Sequence, residues 1–362
     1  MKKLIAFLLI VVMVMSFAAC GPINENEVAI LWSGDGVVKV PNSLINSMER
    51  AMYIENITYA HYGANNDQTV QTKQAEEALN SGCAALVVEL IDTAAAQAIV
   101  DAAKAKHVPV VFFNCDVDST VLSYDKCVLV TTEQESLPTV QGAQIVDTLA
   151  NMKKKTLNKN TDRNGDGKLT FAAFGDTSAT VAAANIALAS ASLPTLEVYE
   201  AESIDALVAA YTEDKAPVDL IITDSDMTAQ ALLIALQAKG YNKDRLKTHM
   251  TPIFTIGDTA DYKTLVLNNR PAGAHSDDNV QDYFKSMQYF VDLRTVEETE
   301  LDSLICTTSY IIGKGRISGT VLEDYDGIAV HVAAALRQMM KEDVAFTTSS
   351  VIKVTYAAVS AS

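Results

Sequence analysis

This chain is short of positive charge relative to negative, and poor in histidine and cysteine, and each shortage removes a class of function. Against 45 Asp and Glu there are 28 Lys and Arg, a formal net charge of −17. A body this acidic is neither a nucleic-acid binder nor a protein that docks electrostatically on anionic lipid. The five histidines (His61, His107, His249, His275 and His331) are scattered, with no HExxH pair. The five cysteines include no CxxC spacing, so neither a zinc site nor a dithiol motif is expected. No GxSxG elbow and no GxxxxGK[ST] loop occurs, and GDGVV near Asp35 lacks the GxGxxG phosphate fingerprint. Without a catalytic constellation, binding rather than catalysis is the expectation.

What is present begins with an address. Lys2 and Lys3 precede 16 nearly unbroken apolar residues, Leu4 to Ala19, and small residues lead into Cys20 in FAAC. The run is short for a membrane span, which takes about 20 apolar residues. The layout is that of a secretory signal, and the cysteine after small residues points to a bacterial lipoprotein cleaved before Cys20, with lipid on its sulfur. An ordinary signal peptide or an uncleaved anchor remains the alternative. The expectation is a leader over 1–19, a tether over 20–27, and a soluble, monomeric body held by lipid outside the cytoplasm.

Along the body, strand and helix alternate. VAILW, AALVVEL and VPVVFFN are short strands with almost no polar residue, of the kind buried on both faces of a parallel sheet between helices. After a polar stretch, KKKTLNKNTDRNGDG, the alternation restarts with KLTFAAFG, DLIITDS and IFTIGD. Two doubly wound α/β lobes are expected. Ligands of open parallel sheets sit beyond the carboxyl ends of strands, which directs attention to Asn114, Asp116, Asp176, Asp224, Ser225, Asp226 and Asp258.

One local motif is specific. In TDRNGDGKLTFAAF, the residues Asp162, Asn164 and Asp166 alternate and Gly167 follows. Alternating oxygen side chains around one point suit a hard cation such as Ca2+, with the Lys168 carbonyl at the seventh position and Thr170 at the ninth. An EF-hand would close with Glu at the twelfth position, where this chain has Ala173, and a strand follows instead of a helix. A carboxylate from elsewhere must fill the open side. Asp219, which leads the strand expected beside Lys168–Phe174, is the candidate, with Glu197 and Asp205 behind it.

At these residues a resemblance to a known family enters. In order, NDQTVQTKQAEEAL, ELIDTAAAQAIVDAAKAKHVPVVFFN, SYDK, DRNGDGKLTF, SGTVLED and VIKVTY resemble bacterial galactose/glucose-binding proteins. The resemblance implies a type I periplasmic-binding-protein fold, two lobes joined by three crossovers that trap a sugar by hinge closure. It also implies a structural calcium loop whose distant carboxylate aligns with Asp219, and ABC transporter permease subunits as partners. Of the sugar site, Asn114 matches the family's Asn after VVFF and Asp258 its late strand-end Asp. Ser225 and Glu323 stand where the family has amides. Ala179, Val181 and Asn185 stand where it has His, Asp and Arg. Asp35 and Trp32 are the available substitutes for its early Asp and stacking aromatic.

The expected lobes are 28–131 with 320–348, and 132–319 with 349–362, the second carrying the calcium loop and an insertion near 263–314. Two functions remain open. One is a lipoprotein that captures a sugar-like molecule for an ABC importer. The other is a sensor or interaction lipoprotein of the same fold with an altered cleft.

Overall fold

The computed structural model describes residues 27–34, 42–150, 161–213, 215–242, 249–257, 317–341 and 350–360. The expected leader, Cys20, Asp35, Asp258 and the insertion near 263–314 lie outside them. No described helix is long and apolar enough to cross a membrane. The chain divides into two compact units. One runs through Thr132 and takes in Asp324–Val354; the other comprises Glu133–Glu323 and Thr355–Ser362.

The first unit is built on β1 (Val28–Trp32), β2 (Tyr59–Gly63), β3 (Ala85–Val88), β4 (Val110–Phe113), β5 (Cys127–Thr132) and β11 (Val351–Val354), interleaved with helices α1 (Asn42–Ile54), α2 (Gln68–Asn80) and α3 (Ala96–Ala105). The strand order is β11-β5-β4-β3-β1-β2, parallel throughout. Alternation along each strand explains why the apolar runs are continuous, because both faces are covered. Val111 and Phe113 of β4 join Val28, Ile30 and Trp32 on one face. Val110 and Phe112 join Leu31, Leu86 and Val88 on the other. The helix starts are written in the sequence. Asp67 accepts from the Thr69 and Val70 amides at the start of α2, and Asp92 accepts from the Ala94 amide before α3.

The second unit repeats the plan with β6 (Leu169–Phe174), β7 (Leu196–Val198), β8 (Leu220–Thr223), β9 (Ile253–Ile256), β10 (Gly319–Leu322) and β12 (Ala357–Ser360). The order β12-β10-β9-β8-β6-β7 is the same, except that β12 runs antiparallel to β10. Helices α4 (Leu137–Ala150) and α5 (Ser178–Ser190) supply one face, and α6 (Ile204–Ala209) and α7 (Asp226–Ala238) the other. Each sheet thus reads 2-1-3-4-5, and the order reverses between its first and third strands, the switch point where doubly wound folds bind ligands. These are the two α/β lobes of a type I periplasmic-binding-protein fold.

Two expected lobe boundaries are corrected. The segment containing Gly319–Leu322 was expected in the first lobe, but it pairs with β9 and β12 of the second. The last segment was expected wholly in the second lobe, yet Val351–Val354 pairs with β5 of the first. The crossovers fall at 132/133, 323/324 and 354/355, and α8 (Tyr325–Lys341) packs its apolar face in the first unit. Pairing partners are set by contacts far apart in sequence, which strand patterning does not encode.

Cys83 and Cys127 are buried in the first unit, and burial pushes their thiols up to about 11 and about 12. Neither thiol forms the reactive thiolate at neutral pH. In a Cys20→Ser/Cys115→Ser/Cys306→Ser variant at pH 8, a thiol-specific disulfide reagent is expected to leave both unreacted in the native state and to modify both in guanidinium. Rapid native reaction of either would contradict the burial.

Candidate functional sites

The loop before β6 is organised by its own acids. Asp162 accepts from the amides of Asp166 (3.1 Å) and Gly167 (3.0 Å), and Asp166 accepts from the Lys168 amide (2.9 Å). Asn164 Oδ1 accepts from the Asp166 amide at 3.1 Å. Gly165 and Gly167 sit at φ +72° and +82°, where a side chain would be strained. The parallel register Phe171↔Leu220 then sets Asp219 opposite Thr170. The Thr170 amide donates to Asp219 at 2.7 Å and its hydroxyl at 3.0 Å, while the Arg163 and Asn164 amides donate to the other carboxylate oxygen.

Asp162, Asp166 and Asp219 consequently bring carboxylate oxygens within 4.8 Å of one another. Asp219 is 1% exposed, and burial raises its carboxyl above the usual range despite the amide donors. The half-buried Arg163 guanidinium, turned toward the Met250 carbonyl, is a nearby positive charge. Lys168 instead pairs with Glu197 at 2.6 Å on the surface, which occupies one of the alternative carboxylates and contributes little to stability. Of the six donors expected for the cation, the three carboxylates are brought together. Thr170 Oγ is already shared, accepting from the Asn164 side chain at 2.8 Å.

The strand ends of the two units carry the other expected residues. Asn114 follows β4 with φ +50°, its amide bound to the Val130 carbonyl at 3.1 Å. Its side-chain NH2 donates to Glu89 Oε1 at 2.8 Å. Glu89, directly after β3, also accepts from the Ser33 amide (3.0 Å) and hydroxyl (2.7 Å). Three strand ends, those of β1, β3 and β4, meet at this carboxylate. Sequence reading treated VVEL as a plain buried strand and passed over Glu89; the signal was an acid closing an otherwise apolar run.

In the second unit, Ser225 caps α7, its hydroxyl accepting from the Thr228 amide at 3.3 Å. Glu323 follows β10, half-buried, at a crossover. Asp224 accepts from the Asp176 amide at 3.1 Å, and Thr320 donates to Asp226 at 3.3 Å. Ala179 and Val181 lie in the first turn of α5, and Asn185 holds the Leu196 amide at 2.7 Å. Trp32 does not offer a face to a ligand. It is 4% exposed, donates to His61 at 2.8 Å and meets Phe113 edge-on at 5.3 Å. As the last inward residue of β1, it belongs to the core.

Comparison with known proteins agrees with this architecture. The model of the periplasmic binding protein domain matches residues 42–274, and the chain belongs to that family. Its members bind solutes rather than convert them, and they work outside the cytoplasm. A stretch of 107 residues is 36% identical to the D-galactose/methyl-galactoside binding periplasmic protein MglB of Haemophilus influenzae, spanning 29% of this chain and 30% of that protein. A solved XylFII-LytSN complex superposes with a TM-score of 0.51 at 9% identity, over 93% of this chain and 98% of that one. A periplasmic ribose ABC transporter structure from Conexibacter woesei gives a TM-score of 0.49 at 13% identity, over 95% and 94%.

Proposed function

We propose that the chain is a lipid-anchored solute-binding protein that captures a sugar-like molecule at strand ends for delivery to an ABC importer. The observation that carries this is the cluster Ser33, Glu89 and Asn114 at the switch point of the first sheet. It supplies hydrogen-bonding side chains where doubly wound folds hold ligands. The partial likeness to a galactose-binding protein supports a sugar, and Asp35, Ser225, Asp258 and Glu323 are the further residues assigned to it. Lipid on Cys20 would hold the protein at the bacterial cell membrane, beside permease subunits.

Melting temperatures measured against aldohexoses, aldopentoses and polyols test this. A ligand that binds only the folded state at 100 times its Kd adds about 2.7 kcal/mol, a rise of roughly 5–10 °C for units of this size. No shift with any of them would remove the sugar reading. That outcome would favour the second reading, a sensor or interaction lipoprotein, to which the apolar Ala179 and Val181 already lend support.

We infer further that the loop before β6 holds a structural Ca2+, with Asp162, Asn164, Asp166, the Lys168 carbonyl, Thr170 and Asp219 as its oxygen donors. Three carboxylates within 4.8 Å, one of them buried, support the assignment, because a divalent cation offsets their mutual repulsion and the desolvation of Asp219. The bound ion would tie the loop to β8. Chelation is expected to lower the melting temperature and added calcium to restore it; indifference to both would leave the loop a hydrogen-bonded turn.

A further inference from the structure

The polarity of the proposed sugar site is set one residue back from it. Glu89 is 5% exposed, and a buried carboxylate is retained only with its oxygens satisfied. All three of its bonded donors are neutral: the Ser33 amide and hydroxyl on Oε2, and the Asn114 NH2 on Oε1. Its backbone is fixed too, since Gln71 donates to the Glu89 carbonyl at 2.8 Å and accepts from the Ile91 amide at 3.4 Å.

An ionised carboxylate can only accept, whereas an Asn side chain offers a donor end and an acceptor end. Facing Glu89, the Asn114 amide has one allowed orientation: NH2 inward, carbonyl oxygen away. That oxygen makes no hydrogen bond to any described residue, and Asn114 is half-exposed at its strand end.

We propose that Glu89 is a positioning residue that consumes the donor end of Asn114 and so presents the site with an acceptor. The bound molecule must then bring a donor, a hydroxyl or an amine, to Asn114. This rests on the reading of the strand ends as a sugar site, and it adds the direction of one hydrogen bond.

The chemistry allows a swap that inverts and then restores the polarity. In Glu89→Gln, the new amide keeps its carbonyl oxygen for Ser33 and turns its NH2 to Asn114. Asn114 then flips and offers the site a donor. Adding Asn114→Asp rebuilds every bond with the charge moved one residue along: the new glutamine donates to the new aspartate, which again faces the site as an acceptor.

The probes are D-galactose and its monodeoxyfluoro derivatives, whose fluorine cannot donate. For wild type, one derivative is expected to bind about tenfold more weakly than galactose, the loss of one hydrogen bond to Asn114. In Glu89→Gln that gap closes to about twofold, and in Glu89→Gln/Asn114→Asp it returns. A purely structural Glu89 would alter the melting temperatures and leave the gap unmoved in all three proteins, which would overturn the proposal.

If wild type binds no galactose, that sugar falls, and the side-chain NH2 signals of Asn114 decide the polarity without ligand. They are identified in 15N spectra by their loss in Asn114→Asp. Protection from solvent exchange in wild type that disappears in Glu89→Gln supports the fixed amide; equal exchange in both overturns it.

Discussion

Asp219→Asn is expected to abolish the response of stability to calcium. In chelator the variant melts below wild type, because both carboxylate oxygens accept from amides and a carboxamide keeps one of them while turning an NH2 toward the other pair of donors. Removing one of three carboxylates within 4.8 Å, and the charge that burial penalises, offsets only part of that loss. With calcium at 100 times its Kd, wild type gains about 2.7 kcal/mol, roughly 5–10 °C for a unit of this size, and the variant gains nothing. Asp219→Ala behaves differently. It strips acceptors from the Thr170 amide and hydroxyl and the Asn164 amide, costing about 2–4 kcal/mol in either buffer. Differential scanning calorimetry of the three proteins with and without calcium separates the roles. A wild type that ignores chelation would leave Asp219 as a strand-end cap alone.

Gly142→Leu is expected to destabilise the second unit strongly. A Cβ at Gly142 would lie 2.8 Å from the Ala184 backbone nitrogen and 3.0 Å from the Ala183 carbonyl carbon. Those are main-chain atoms of α5, so no rotamer relieves the overlap, and α4 and α5 must separate. The contact is bracketed by polar ties made inside the unit: Thr180 donates to Gln141 at 2.7 Å, and Gln144 donates to the Thr320 carbonyl at 3.1 Å. Separating the helices strains the first of these directly. Overpacking of this kind costs about 3 kcal/mol, roughly 6–12 °C. Gly142→Ala is expected to show a smaller loss, because it adds only the Cβ to the contact, and about 1 kcal/mol of helix propensity returns against that clash. A leucine variant that melts within a degree of wild type would mean that α4 and α5 are less closely packed than the structure has them.

What could be read in advance follows from where the information sits. The loop was legible because DxNxDG is local and fixes side chains at alternate positions; its partner, 49 residues on, was legible because two neighbouring apolar runs in parallel register bring Asp219 opposite Thr170. Burial of each sheet on both faces was legible for the same reason, from runs such as VVFF. The placement of β10 and β11 was not, since an edge strand of either sheet has the same short apolar pattern and only the pairing Val351↔Leu129 assigns it. Glu89 was missed because its role depends on Ser33 and Asn114, 56 and 25 residues away. Trp32 was offered as a substitute for the early stacking aromatic that the resemblance implies. The pleat turns it inward onto Phe113, and only the register of the sheet decides that. Of the expected ligand residues, Asn114 stands beside a buried acid, whereas the Ser225 hydroxyl is engaged as a helix cap.

The central claim is capture of one sugar-like molecule at these strand ends, and titration calorimetry of the purified chain tests it directly. With the sugar that raises the melting temperature most, the account predicts saturable heat at one ligand per chain, weakened about tenfold in Asn114→Ala without a matching loss of stability. No saturable heat with any sugar, or binding that Asn114→Ala leaves unchanged, would contradict it.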